Sequence, residues 1–364
     1  MASHVPVVRR GTSLSSQVGL SERIFASSED RAFAAAVDAG LAKVEEGLHA
    51  EMRFADNLAD VTARYLLEAG GKRVRPMLTL LAAQLGDGNT PGVLTAAEAI
   101  EITHLASLYH DDVMDEAQMR RGVPSAQTVW GNSVAVLTGD LLFARASKMV
   151  AGLGERAILL QADMFERLCL GQLHETIGPE EGEDPVEHYI QVLADKTGSL
   201  IAVAAQMGVV FSNAPTEYEQ PVVTFGEKIG VAFQLIDDVI DLSAKGEETG
   251  KNPGTDLRAG VATLPLLRLR ERARTDAASA ELLARLERDV IGTADNSADS
   301  AASADSAAAT AAIAALRDHE VTAQTLEEAH GWARAAVEAL APLPDGPVRK
   351  ALTRFADTIV ERSS

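Results

Sequence analysis

Two short stretches of this sequence repeat one arrangement of carboxylates. HLASLYHDDVMDE at 104–116 carries Asp111, Asp112 and Asp115, and VAFQLIDDVIDLS at 231–243 carries Asp237, Asp238 and Asp241. Each set reads D-D-x-x-D. On a helix, residues four apart share one face, so two carboxylates of each set can hold a hard cation between them. Each set ends an apolar stretch, where adjacent carboxylates repel one another and lose hydration. A positive partner must sit there. Oxygen-only ligands suit Mg2+, which keeps several waters and bridges carboxylates to phosphate oxygens. A lone D-D-x-x-D is ordinarily a solvated acidic surface; two copies, each closing an apolar helix, argue for metal sites.

Basic groups complete the inventory. Gly70-Gly71-Lys72-Arg73-Val74-Arg75-Pro76 lies between two apolar segments. Its glycines open the backbone, Pro76 suits a helix start, and Lys72 and Arg75 can serve one anion. The spacing is not that of a P-loop. Arg120-Arg121-Gly122 follows the first acidic set by five residues, and His104 precedes Asp111 by seven, on nearly the same helix face. Lys196-Thr197-Gly198 interrupts an apolar helical region, where the glycine loosens the helix and a buried lysine needs a partner. Gln234 precedes Asp237 by three, and Lys251 sits in a loop after the second set. No Ser-His-Asp or Cys-His arrangement is evident. The chemistry these residues suit is ionisation of a phosphate leaving group, with Mg2+ as Lewis acid.

The elements that must position these groups read as helix after helix. AFAAAVDAGLAKVEEGLHAEM and ADVTARYLLEAG carry apolar residues at three- and four-residue spacing, and PMLTLLAAQLG is apolar enough to be buried. Later segments continue the pattern to GPVRKALTRFADTIVERS, and no strand-rich segment appears. Aromatics make up only 4% of an Ala- and Leu-rich chain, which favours helix and leaves an interior able to accept a long apolar chain. The expected class is all-α, with about ten to thirteen helices in a single large bundle around a central cavity. Residues 1–20 read as a mobile arm, 21–364 as one domain, and 293–312, rich in Ala, Ser and Asp, as a solvated low-complexity insertion.

Charge and composition exclude several classes. A net charge of −20 argues against nucleic acid and against anionic lipid as partners. The single cysteine, Cys169, rules out an intramolecular disulfide framework and a thiolate zinc cluster. The first residues lack an apolar signal core, and no run approaches the roughly 20 apolar residues of a membrane span. The expected compartment is the cytoplasm, with peripheral association at a membrane for release of an apolar product.

Taken in order, GGKRVRP, HLASLYHDDVMDEAQMRRG, DKTGSL, FQLIDDVIDL and GKNPGTDLRAGVATLPLL resemble the trans-isoprenyl diphosphate synthases, or polyprenyl synthetases, over nearly the whole chain from about residue 30. The resemblance implies the isoprenoid-synthase fold, a homodimer, and Mg2+-dependent head-to-tail condensation of isopentenyl diphosphate with an allylic diphosphate. It assigns Asp111 and Asp115, supported by Asp112, to Mg2+ on the allylic diphosphate. Asp237 holds a further Mg2+ from the opposite wall, with Asp238 and Asp241 behind it, making about three ions per site. Arg120, Lys196 and Lys251 contact the allylic diphosphate; Lys72, Arg75, His104 and Arg121 hold isopentenyl diphosphate; Thr197 and Gln234 turn oxygen dipoles to the developing carbocation.

One departure stands out. Many members carry a lysine just before the T-L-P segment, where this chain has Val261; the resemblance then implies either weaker diphosphate binding near the second set or compensation by Arg258. Ser107 and Ala106 lie four and five residues before Asp111 and are small, so a chain growing beside this helix passes them. That predicts an all-trans product longer than C20. Alternatives are a geranylgeranyl or farnesyl diphosphate synthase, or a partner subunit of a heteromeric synthase. A terpene cyclase or a head-to-head synthase fits poorly with GGKRVRP and the second D-D-x-x-D.

Overall fold

A computed structural model describes residues 27–243, 253–291 and 307–362. The expected arm at 1–20 and Lys251 lie outside these residues, as does most of the expected insertion. Helix starts follow local capping chemistry. Ser27 and Asp30 form a capping box ahead of α1 (Ser28–Glu51), and Asp56 caps α2 (Asn57–Glu68). Then come α3 (Val74–Ala83) and α4 (Pro91–Met114), the latter capped by Thr90 and opened by Pro91. Two-residue strands β1 (Met119–Arg120) and β2 (Val123–Pro124) pair antiparallel. Gly131 (φ 84°) separates α5 (Ala126–Trp130) from α6 (Asn132–Leu153), and Gly154 (φ 100°) separates α6 from α7 (Glu155–Ile177).

The apolar helical region that Lys196-Thr197-Gly198 interrupts is three pieces. Asp184 caps α8 (Pro185–Leu193), a single π-helical turn occupies Ala194–Gly198, and α9 is Ser199–Phe211. The remaining helices are α10 (Glu219–Asp241), α11 (Thr255–Arg258), α12 (Leu264–Arg272), α13 (Ala277–Asp289), α14 (Ala307–Arg317), α15 (Glu320–Ala339) and α16 (Pro347–Glu361). The all-α expectation therefore holds, with one small hairpin added.

The chain forms two compact units. The first comprises residues up to Glu166, Ser199–Gly226 and Ala339–Phe355. Its centre is α3, in which every residue from Pro76 to Ala83 is buried, and α4. Each fully buried Leu or Met there contributes roughly 1.5–3 kcal/mol. The hydroxyl of Thr79 on α3 donates to the carbonyl of Ala204 on α9 at 2.8 Å, satisfying a polar group inside this core. Gly208 on α9 makes that approach possible, since a Cβ there would lie 2.2 Å from the Thr79 carbonyl oxygen.

The second unit comprises Arg167–Gly198, Glu227–Glu338 and residues from Ala356 on. Its core gathers Leu257, Leu266, Leu269, Leu282, Leu286, Ile313 and Leu316. Ala309 and Ala312 belong to it, both fully buried on α14. This corrects the expected insertion. Residues 307–312 have the composition of the low-complexity stretch, but alanine is also the best helix former and packs where larger side chains cannot.

Gly208→Ala tests the α3–α9 contact. A glycine-to-alanine change in a helix interior ordinarily gains about 1 kcal/mol. Here the added methyl meets backbone, and overpacking costs roughly 1–3 kcal/mol. Net destabilisation in a denaturant titration is expected; a stabilised variant would show that the helices are not held this close.

Candidate active site

The first acidic set closes α4. Asp111 is half-buried on the last turn, and exposed Asp115 is the C-cap. Asp112 points inward and has no exposed surface. The Nε of Arg120 donates to its Oδ1 at 2.6 Å, while Oδ2 finds no partner among the described residues. Burial raises the Asp112 pKa, and the Arg120 guanidinium opposes that rise. Arg120 is delivered by the β1–β2 hairpin. Its two-residue turn, Arg121 (φ 53°) and Gly122 (φ 77°), has the doubly positive φ that matches the strands' twist. The hairpin was not anticipated from the sequence; Arg-Gly at the turn is its only local signal.

The basic loop before α3 is built on unusual backbone. Gly70 (φ 102°) and Gly71 (φ 138°) lead to Arg73, the N-cap, in left-handed conformation at φ 47°. A Cβ on Gly71 would lie 2.6 Å from Arg73 Nη1 and 2.9 Å from Arg121 Cζ, so a side chain there would push the guanidiniums aside. Arg73 is buried against Glu45, at 2.8 Å and 3.1 Å, and against buried Glu101 at 3.3 Å. Sequence reasoning passed over this arginine and both glutamates, because their partnership joins positions 28 residues apart on either side.

The groups that were singled out sit beside it. Arg121 donates from Nη1 to the Leu66 carbonyl at 2.8 Å and also to the Gly70 carbonyl. Arg75 has a buried Nε without a hydrogen-bond partner, and desolvation pulls its guanidinium down to about 10. His104 is held well below the usual imidazole range, first by burial and then by Arg75, Arg121 and Arg120. It is therefore a neutral group at pH 7 that offers one N–H. Lys72 is exposed at the rim of the loop. A partly buried collection of cations with an unmet donor suits a polyanion.

The second acidic set closes α10 and repeats the logic of the first. Asp237 is half-buried. Asp241 caps α11 by accepting from the backbone of Thr255 and Asp256, both at 3.2 Å. Asp238 points inward and is 6% exposed. The Tyr189 hydroxyl lies 3.0 Å and 2.8 Å from its two oxygens, and the Leu264 N–H donates at 3.3 Å. Burial outweighs these bonds and pushes the Asp238 carboxyl up to about 8. Tyr189 was not picked out from the sequence.

Lys196 and Thr197 both lie in the π turn. Three glycines let neighbouring helices crowd this turn. A Cβ on Gly171 would lie 2.9 Å from the Lys196 nitrogen, one on Gly198 would lie 3.0 Å from the Glu227 carbonyl oxygen, and one on Gly230 would lie 2.6 Å from Gly198 Cα. The Lys196 ammonium meets Glu175 at 2.5 Å, a partner also not foreseen. Gln234 is half-buried on α10. Val261 is 40% exposed and lines a cavity of about 510 Å³ with Tyr189, Glu175, Arg270 and Arg274. Arg258 donates at 3.4 Å to the Pro253 carbonyl.

The donor set fits Mg2+. Both sets present carboxylate oxygen alone, and Asp112 keeps an unmet buried oxygen. Among the described residues, no three His, Cys, Asp or Glu side chains close around one point. An ion here would take one or two carboxylates and complete its shell with water or phosphate oxygens, which is the habit of Mg2+.

Fold and side chains together suit a helical enzyme that handles a polyanion with a hard cation. The family model for polyprenyl synthetases matches residues 56–297. A nonaprenyl diphosphate synthase of Mycobacterium tuberculosis is 44% identical over 335 residues, 92% of this chain and 95% of that one. The crystal structure of a decaprenyl diphosphate synthase from Rhodobacter capsulatus superposes with a TM-score of 0.78 at 33% identity, covering 92% and 99% of the two chains. A geranylgeranyl pyrophosphate synthase from Corynebacterium glutamicum, solved with calcium and isoprenyl diphosphate, gives 0.76 at 36% identity, covering 91% and 97%. The chain belongs to the polyprenyl synthetase family, and with it to the prenyltransferases.

The buried carboxyl gives a pH signature in metal-free protein. The folded-state pKa of Asp238 lies above its ordinary 3.8, so its contribution is complete below about pH 4 and is lost as pH rises through about 8. Asp238→Asn removes this titration. Its stability relative to the parent protein should climb between those limits by up to about 1.4 kcal/mol per pH unit, then level off. A difference that stays flat across the range in chelator-treated samples would contradict the buried-carboxyl assignment.

Proposed function

We propose that this chain condenses isopentenyl diphosphate head-to-tail with an allylic diphosphate, repeatedly, to give an all-trans polyprenyl diphosphate longer than C20. The observation that carries this reading is the arrangement at the two acidic helix ends. Each anchors one aspartate inside and leaves the flanking carboxylates outside, in a chain that also keeps a buried guanidinium nitrogen unmet. Relatives that make nonaprenyl and decaprenyl diphosphates support the long product.

In this reading Asp111, Asp115 and Asp237 hold Mg2+, with Asp112, Asp238 and Asp241 fixing their helices. Bound Mg2+ supplies Lewis acidity that stabilises the departing pyrophosphate. Arg120, Lys196 and Lys251 bind the allylic diphosphate. Lys72, Arg75 and Arg121 hold isopentenyl diphosphate, to which neutral His104 gives an N–H. The allylic C–O bond breaks, leaving its electron pair on pyrophosphate. The homoallylic double bond then attacks C1, and the released pyrophosphate takes the proton that restores an alkene. Thr197 and Gln234 turn oxygen dipoles toward the transient cation.

Two copies of the chain form the working molecule in this proposal. Leu137 on α6 is 66% exposed, and Leu159, Leu173 and Ile177 on α7 are 50% exposed or more, an apolar load that a partner copy would cover. No helix among the described residues is long and apolar enough to cross a membrane. The product's growing hydrocarbon tail makes transient peripheral association with a membrane the natural release step.

Purified alone, the protein should sediment as a homodimer and turn over isopentenyl plus farnesyl diphosphate with Mg2+. Asp111→Asn and Asp237→Asn should each lower kcat by about a hundredfold or more, the scale of one lost electrostatic contact to the transition state. Turnover only after a second protein is added would instead make it one half of a heteromeric synthase. Chromatography of the product then tests the tunnel. Ala106 is fully buried and Ser107 is 5% exposed, both on α4. Ala106→Phe should shorten the chain, and an unchanged length in a folded variant would move the tunnel elsewhere.

A further inference from the structure

The second acidic set has a neighbour that neither the motifs nor the comparisons assign. Arg362 follows the last turn of α16, near the end of the chain. Its Nη2 lies 3.1 Å from Asp237 Oδ1. Its guanidinium carbon also lies 4.7 Å from the centre of the Phe233 ring. Phe233 and Asp237 are four residues apart on α10, so they share one helix face. Arg362 thus lies along that face, with its guanidinium over the ring and one nitrogen on the carboxylate. Asp237 is the outward carboxylate of the set, since Asp238 is turned in to Tyr189 and Asp241 is spent capping α11.

We propose that Arg362 is a tethered counter-ion for Asp237, which a divalent cation must displace, so that the C-terminal residues of this chain tune metal binding at the second acidic set. The inference rests on the reading of Asp237 as a metal ligand. The energetics suit an exchange. The two side chains are 32% and 40% exposed, so solvent screens the pair and it holds only weakly. A divalent ion carries twice the charge and brings its own waters, whereas the arginine stays attached to the chain and can return. The ring contact with Phe233 keeps the guanidinium close once it has been displaced, which a flexible lysine would not match. The role differs from substrate binding in the sign of its effect. Losing a substrate contact weakens binding, whereas losing a competitor strengthens it.

The test uses the full-length protein without substrate. Mn2+ is titrated in, and free ion is read from its paramagnetic resonance signal. To isolate the second set, the titration is repeated in an Asp111→Asn, Asp115→Asn background. Arg362→Ala and Arg362→Gln should both tighten Mn2+ binding by roughly two- to fivefold, the range a screened ion pair can supply. Arg362→Lys should fall between these variants and the parent. Adding Asp237→Asn should abolish the difference. Thermal melts without metal identify any variant that fails to fold, and the Gln variant keeps most of the side chain's packing. Unchanged or weaker Mn2+ binding in folded Arg362→Ala and Arg362→Gln would overturn the counter-ion role. Absence of Mn2+ binding in the parent, even with inorganic pyrophosphate present, would bring down the metal-ligand reading itself, and this proposal with it.

Discussion

The cost of placing a carboxylate where water cannot reach it organises each of the two acidic sets. Each D-D-x-x-D contains one aspartate that the helix turns inward. Asp112 is met by Arg120 and Asp238 by Tyr189 and the Leu264 N–H. Breaking the Asp112–Arg120 pair costs roughly 3–5 kcal/mol, whereas an exposed ion pair is worth at most about 1 kcal/mol; Asp238, whose carboxyl burial pushes up to about 8, is held by hydrogen bonds worth about 1 kcal/mol each. The inward aspartates therefore fix the rotation of α4 and α10 about their axes. With that rotation set, Asp111 on α4 and Asp237 on α10 each stay on the outward side of their own helix. The outward carboxylates are held in place by neighbours that never need to touch a ligand.

The same division between holding and binding runs through the cations. Arg73 spends its donors on Glu45, Glu101 and two carbonyls, and so pins the loop that precedes α3. The loop accepts left-handed backbone at Arg73 and positive φ at Gly70 and Gly71, a strain that such a network can sustain. Arg75 and His104, beside it, are left with less. One has a buried nitrogen unmet, and the other is pushed to its neutral form by burial and by the cations around it. On the proposed reading, a polyanion arriving there would meet donors already in position, with little reorganisation left to do.

The sequence exposes some of this and conceals the rest, for physical reasons. The acidic sets, the helical class and the apolar α3 are local patterns, written in spacing and in caps such as Ser27, Asp56 and Thr90. Which aspartate turns inward is not local. It depends on Tyr189, 49 residues before Asp238, and on a hairpin whose strands are too short to show a period. The π turn has one hint, Gly198, yet its existence depends on Gly171 and Gly230 as well. Residues 307–312 mislead because an alanine-rich stretch looks the same whether it is solvated or packed against Leu282 and Leu286.

Burial also sorts the ion pairs into permanent and exchangeable ones. Arg73 with Glu101 is 6% and 2% exposed, and Asp112 is wholly enclosed under Arg120. Opening either would strand a charge in a poorly hydrated place, so these pairs persist through any catalytic cycle. Lys196 with Glu175 is 24% and 34% exposed, and Arg362 with Asp237 is more open still. Water can solvate both partners of those pairs as they separate, so the diphosphate and the divalent ion of the proposed reading would need to offer only a modestly better partner. The π turn adds to this at Lys196. It is crowded by glycine contacts on several sides, so the backbone stays fixed while the side chain changes partners. On the proposed reading, repeated condensation calls for both kinds of pair, and within each unit of this chain burial tells them apart.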